Sequence, residues 1–192
     1  MLMLTQERIL EIYQNSGALL TGHFRLRSGL HSDRFLQSAA VLQYPEHASA
    51  LCAELAMQVR EDLKPDRVDI VIGPAIGGVI LAYEVARTLG ARAMFGEKNG
   101  DQMFLRPGFK IQAGDRIAVV DDVLTTGGSV FKLIDLSRRH QGQVVAAAFL
   151  IDRSSTPIDF GAPKVSLVTL DIPTYPPAEC QMCREGIPLV EP

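Results

Sequence analysis

The chain has 192 residues, a formal net charge of −3 and 47% hydrophobic residues. That length suits one domain with an appendage and allows a substantial core. The acidic balance, with no basic run and no basic-aromatic interleaving, argues against nucleic acid as an obligatory partner. No apolar run approaches the roughly 20 residues of a membrane span, so no membrane association is expected. Two of the three cysteines lie near the C-terminus, which is no disulfide framework. The opening MLMLTQERILEIYQNSG has no long apolar core and no small-residue cleavage site. It reads as an amphipathic helix rather than a signal peptide, and a cytoplasmic location is expected.

In chain order, residues 4–13 predict a helix. Phe24-Arg25-Leu26-Arg27 alternates before Ser28-Gly29, a strand-and-turn signal, and 31–41 reads as extended or irregular. Residues 45–63 carry apolar side chains at Ala48, Leu51, Cys52, Leu55, Ala56 and Val59, the spacing of a helix with one buried face. Val68–Ile72 reads as a buried parallel strand, 77–89 as a helix ended by Gly90, and 91–95 as a second strand. Residues 97–102 have the composition of a mobile loop with an Asn99-Gly100 turn. Residues 103–105 and 109–111 flank Arg106-Pro107-Gly108 and predict a small hairpin. Strand 117–120, helix 130–139, strand 144–151 and strand 164–170 follow, and the chain from Pro173 onward is proline-rich and irregular. Strands alternating with helices over 68–151 predict an α/β fold with a doubly wound, mainly parallel sheet. The expected organisation is a single domain over 1–192. Its core covers about 45–155, and a small hood is built from about 1–42 and 156–192. Ligands then sit beyond the carboxyl ends of the strands.

Four strand ends carry polar residues there. The most specific is Ile117–Ser129, IAVVDDVLTTGGS. An apolar strand runs into Asp121 and Asp122. Val123 and Leu124 follow, then the turn Thr125-Thr126-Gly127-Gly128-Ser129, and then a helix start. Backbone N–H groups, hydroxyls and a helix N-terminus surround one small volume, which suits a phosphate. The two carboxylates can accept hydrogen bonds from sugar hydroxyls, so the site reads as one for a ribose 5-phosphate. No Gly-Lys-Ser/Thr closes the turn, which excludes a Walker-type loop, and no G-x-G-x-x-G is present. The second strand end is Gly73-Pro74-Ala75-Ile76-Gly77-Gly78, whose glycines let backbone approach an anion. The third is 95–101, with Lys98 its only cation. The fourth is Asp152-Arg153-Ser154, where the planar fork of Arg153 can clamp a carboxylate or form an ordinary salt bridge to Asp152 or Asp159.

IAVVDDVLTTGGS resembles the phosphoribosyl-pyrophosphate motif of type I phosphoribosyltransferases. LLTGHFRLRSGLHSDRFLQ (19–37), GPAIGG (73–78), LIDRSS (150–155) and YPPAECQMCREGIPLV (175–190) extend the resemblance to the orotate branch of that family, in the variety with a short mobile loop. The resemblance implies transfer of the 5-phosphoribosyl group from phosphoribosyl pyrophosphate to orotate, in the synthesis of pyrimidine nucleotides. It implies that Asp121 and Asp122 hold the ribose hydroxyls while Val123 and Leu124 lead into the Thr125–Ser129 phosphate turn. It implies that Gly73, Pro74, Ala75, Gly77, Gly78 and Arg27 face the pyrophosphate, and that Thr125 and Arg153 hold orotate. Mg2+ is the implied cofactor, held mainly through pyrophosphate and ribose and without a direct protein ligand. Lys98 is the implied catalytic cation. A homodimer is implied, with loop 97–102 closing over the neighbouring site. Relatives have a lysine where Arg27 stands and a longer, more basic loop. A purine or uracil phosphoribosyltransferase is the alternative within the class, and a nucleotide-sensing regulator of the same fold is the alternative outside it.

Orotate is already an anion, so its N1 can attack the anomeric carbon without a strong base, and positioning carries much of the catalysis. Carboxylates beside a ribose of oxocarbenium character stabilise it electrostatically. Cys180-Gln181-Met182-Cys183 is a single CxxC with no second pair, so no metal site is expected from it. His23 and His31 read as packing or hydrogen-bonding residues, and Met94 and Met103 as core.

Overall fold

The computed structural model describes residues 4–26, 28–63 and 67–191. The elements are α1 (Gln6–Asn15), β1 (Leu19–Arg25), β2 (His31–Leu36), α2 (Ala39–Leu42), α3 (Pro45–Leu63), β3 (Ile70–Pro74), α4 (Gly77–Leu89), β4 (Arg92–Asn99), β5 (Gln102–Leu105), β6 (Arg116–Leu124), α5 (Gly128–Arg139), β7 (Gln143–Asp152), β8 (Lys164–Thr169) and α6 (Gln181–Arg184). A single 3-10 turn, Pro177–Glu179, precedes α6.

Six strands form the main sheet in the order β5-β4-β3-β6-β7-β8. All neighbours are parallel except β4–β5. The central strands read as nearly continuous apolar runs because both of their faces are covered. On one face α1, α3 and α4 bury Ile9, Tyr13, Leu51, Leu55, Leu81 and Val85 against Val71, Ala118 and Val120. On the other face α5 buries Val130, Leu133 and Ile134 against Ile70, Ile72, Val119 and Phe149. Alternate residues of one strand thus feed opposite layers, the arrangement of a doubly wound sheet. The mainly parallel α/β class expected from the sequence is the one observed.

Three local expectations are corrected. Residues 103–105 do pair in a hairpin, but their partner is β4, with Lys98 opposite Met103 and Asn99 opposite Gln102. The tight turn is Asn99–Gln102, and 109–111 forms no strand. Phe109 instead closes a turn onto Arg106 O and packs edge-on against Phe95. Second, 97–102 is the end of a two-stranded ribbon rather than an irregular loop. Third, β8 pairs with β7 in the main sheet, so 164–169, counted with the hood from sequence, belongs to the core.

β1 and β2 make a separate antiparallel pair. Backbone bridges from Phe24 to Val190 and from His31 to Tyr175 tie it to the C-terminal tail.

Candidate active site

β6 delivers the acid pair to the carboxyl edge of the sheet. The Asp122 N–H donates to Asp121 Oδ1 at 3.0 Å, and the Val123 N–H donates to Asp122 Oδ1 at 2.8 Å, which fixes both carboxylates against their own backbone. The two diverge. Asp121 lines a cavity beside α5, whereas a Cβ added to Gly77 would lie 3.8 Å from either Asp122 oxygen. Burial, reinforced by the charge of Asp122, pushes the Asp121 carboxyl up to about 8.

The cavity has a volume of about 300 Å³. Its floor is the turn Thr125–Ser129, with the hydroxyl-bearing residues exposed and Leu124 and Gly127 buried. Gly127 has φ 73°, and a Cβ there would also meet the Phe160 ring at 3.0 Å, so glycine is required on both counts. α5 starts without a side-chain cap, so its first-turn N–H groups are left for a ligand. Lys98 at the end of β4 and Lys132 on α5 line the same cavity. The sequence reading missed Lys132. It lies four residues beyond Gly128, one helical turn above the uncapped start of α5, and that spacing was the available signal.

At the end of β3, Gly73 and Gly78 pack backbone to backbone. A Cβ on Gly73 would overlap Gly78 O, and a Cβ on Gly78 would come within 2.6 Å of the Pro74 ring. This contact holds the 73–78 turn closed beside Asp122. Within it the Ala75–Ile76 peptide is cis.

β7 ends at Asp152, and the Arg153 N–H donates to Leu124 O at 2.9 Å, joining the two strand ends. Asp152 is occupied elsewhere. Its carboxylate accepts from Lys164 Nζ at 2.6 Å and from Ser154 Oγ at 2.6 Å. Asp159 accepts from the Gly161 N–H. Among the described residues no carboxylate is paired with Arg153, and burial alone pulls its pKa down. The ordinary salt bridge is therefore not formed, and a half-buried guanidinium is left for an external anion.

Arg27 lies outside the described residues. Away from the cavity, the structure brings together His23, His31, Cys180 and Cys183, which the sequence reading kept apart. Met94 and Met103 are buried as expected, Met103 also touching the cavity.

A phosphoribosyl transferase domain model matches residues 41–174. An orotate phosphoribosyltransferase of Caldanaerobacter subterraneus subsp. tengcongensis is 50% identical over 97% of this chain and 96% of its own length. The chain belongs to the orotate phosphoribosyltransferase family. A second member, from Caldicellulosiruptor bescii, is 46% identical over 98% of this chain and 97% of its own. The crystal structure of orotate phosphoribosyltransferase from Aeropyrum pernix superposes with a TM-score of 0.70 at 28% identity, covering 84% of this chain and 93% of that one. A crystal structure of adenine phosphoribosyltransferase, at 18% identity and a TM-score of 0.64, shares the fold. The orotate phosphoribosyltransferase family thus accounts for the sequence outside the acid-and-glycine motif as well as within it.

Proposed function

We propose that the β6–α5 cavity takes the ribose 5-phosphate of phosphoribosyl pyrophosphate, with orotate beside it. The chain is a phosphoribosyltransferase that joins orotate to the sugar phosphate, releasing pyrophosphate and forming orotidine 5-monophosphate for pyrimidine nucleotide synthesis. The observation that carries the residue assignment is the convergence of Asp121, an uncapped helix start and two lysines on one cavity, with Asp122 at the same strand end facing the 73–78 turn.

In this reading Thr125, Thr126, Gly127, Gly128 and Ser129 hold the 5-phosphate, with Val123 and Leu124 setting the approach of the strand to the turn. Asp121 and Asp122 accept from the ribose hydroxyls. As the bond to pyrophosphate lengthens, positive charge builds on the ribose, and the fixed carboxylates stabilise it without rearranging. Gly73, Pro74, Ala75, Gly77 and Gly78 present backbone to the pyrophosphate, supported by the closeness of Gly77 to Asp122. Arg27 belongs to the same proposal. Thr125 and Arg153 hold orotate through its carboxylate and ring edge. Lys98 and Lys132 attract the phosphates. The hard oxygen donors of the acid pair fit Mg2+ in the ribose-pyrophosphate complex, and the metal would neutralise the leaving pyrophosphate. A cytoplasmic location is part of the proposal. Among the described residues no helix is long and apolar enough to cross a membrane.

The direct test is the absorbance change of orotate on adding phosphoribosyl pyrophosphate and Mg2+, run beside uracil, adenine and hypoxanthine. Orotate alone should react. Pyrophosphate release with another base but not with orotate would overturn the assignment.

The homodimer, with the 97–102 hairpin reaching over the neighbouring site, rests on two observations. Ile76, Ile80 and Tyr83 are 89%, 48% and 62% exposed and form a stripe along α4 that a second copy would cover. The Asn99–Asp101 tip is exposed as well. Tyr83→Glu is expected to shift a dimer to monomer in light scattering. Mixing inactive Lys98→Ala and Asp122→Asn chains should restore about a quarter of wild-type activity if Lys98 acts across the dimer. A wild-type monomer would refute the dimer, and no recovery on mixing would restrict Lys98 to the cavity of its own chain.

A further inference from the structure

His23 on β1 and His31 on β2 face Cys180, at the end of the 3-10 turn, and Cys183, inside α6. Their donor atoms converge. His23 Nε2 and His31 Nδ1 are 3.0 Å apart. Cys180 Sγ lies 3.5 Å from His23 Nε2, and Cys183 Sγ lies 3.7 Å from His23 Nε2 and 3.3 Å from His31 Nδ1. All four donor atoms fall within 4.8 Å of one another. A tetrahedral ion bonded at about 2.0 Å to nitrogen and about 2.3 Å to sulfur separates its ligand atoms by roughly 3.3–3.8 Å. The three nitrogen–sulfur separations of 3.3, 3.5 and 3.7 Å fall in that range, and the two ring nitrogens need to part by only a few tenths of an ångström to reach it.

We propose that these four residues bind one structural Zn2+ that clasps the C-terminal tail to the β1–β2 hairpin. Two thiolates and two imidazoles form a closed Cys2His2 set, which selects zinc over the hard cations that prefer oxygen. The His23 Nδ1–H donates to Ile187 O at 2.8 Å, which fixes the tautomer and turns the Nε2 lone pair into the cluster. His23, His31 and Cys180 are buried, so the ion would be shielded on all sides but that of the exposed Cys183.

Independent support comes from the tail itself. Between Pro173 and Glu191 the only buried residue is Cys180. Such a segment has almost no hydrophobic core of its own, yet it takes a definite path, with α6 only four residues long. Backbone bonds pin it at the ligand residues. His31 and Tyr175 exchange N–H···O bonds at 2.8 Å, and Val190 N–H donates to His23 O at 2.8 Å. Metal ligation is one of the means, with disulfides and oligomerisation, of fixing a short segment that cannot bury enough apolar surface. Binding would release the two thiol protons and involves no change of oxidation state.

Elemental analysis of the full chain, purified under reducing conditions without chelator, should find one zinc per chain. The cobalt(II)-exchanged protein should give the visible bands of tetrahedral coordination together with sulfur-to-cobalt charge transfer. A chromophoric chelator in excess should lower the Tm. Cys183→Ser, at an exposed position, should keep the fold and weaken zinc binding by about 100-fold or more. The Cys180→Ser/Cys183→Ser double variant should carry no zinc at all. The proposal fails if the reduced wild-type chain takes up neither zinc nor cobalt. It fails equally if Cys183→Ser holds zinc as tightly as wild type, or if the two cysteines are joined in a disulfide in the reducing preparation.

Discussion

Arg153→Ala is expected to lower kcat/KM for orotate by about 100- to 1,000-fold, while the affinity for phosphoribosyl pyrophosphate alone changes little. Hydrogen bonds to a charged group are worth about 1.5–3 kcal/mol each, and a planar fork can make two to one carboxylate. The Arg153 guanidinium supports the fold through no ion pair among the described residues. Its carboxylate neighbour Asp152 is taken by Lys164 and Ser154. The Tm should therefore move by no more than about 2–4 °C, the shift that roughly 1 kcal/mol produces in a chain of this size. Uracil lacks the carboxylate, so its poor use should be unaffected and the orotate-to-uracil preference should collapse. Arg153→Lys should recover only part of the loss, because a point charge cannot reproduce the fork. Steady-state kinetics with both bases decide the matter. An unchanged KM for orotate would remove Arg153 from the site.

The acid pair gives the second large effect. Asp122→Asn is expected to lower kcat by about 100- to 1,000-fold, the scale of losing one fixed electrostatic group at a developing charge. Asp121→Asn should also lower turnover, and it should stabilise the ligand-free protein at alkaline pH. The sign follows from the direction of the shift. The folded chain holds the Asp121 proton up to about pH 8, whereas an unfolded chain releases it near about pH 4. The stability tied to that proton is fully present below about pH 4 and is lost as pH rises through about 8. Asparagine mimics the neutral form at every pH, so its Tm should match that of wild type below about pH 4, exceed it increasingly from about pH 4 to about pH 8, and keep a constant excess above that. Binding of the sugar diphosphate, whose hydroxyls favour the ionised carboxylate, should release a proton near pH 7. Calorimetry in buffers of different ionisation enthalpy would detect that release, and Asp121→Asn should abolish it. Equal Tm values for both chains at pH 9 would contradict this account of Asp121.

The strands of the main sheet were legible because burial on both faces demands uninterrupted apolar residues, as in Ile117–Val120 and Val144–Ile151. The turn at 125–129 was legible because few backbone paths other than a strand-to-helix junction use two glycines and three hydroxyls in a row. The reach of β4 through Glu97, Lys98 and Asn99 was not, since this stretch runs past the end of β3, needs no apolar pattern, and is paired with β5 alone by backbone geometry. Lys132 was hidden because a lysine on a helix is ordinarily solvated. The histidine–cysteine cluster was hidden for a different reason. Its histidines and cysteines lie at opposite ends of the chain, His23 and Cys180 being 157 residues apart, and only the folded hairpin and tail bring them into reach of one another.

The hairpin that ends β4 has a consequence for catalysis with temperature. A long irregular flap must freeze many backbone torsions each time it covers substrate, at about 1–2 kcal/mol of conformational entropy per residue. Here Gly96 to Asn99 are already registered against Leu105 to Gln102. Under the proposed closure, covering the site requires a stiff paddle to pivot rather than a floppy segment to order. The entropic fraction of the activation barrier should be correspondingly small, and turnover should hold up well on heating until the core itself melts.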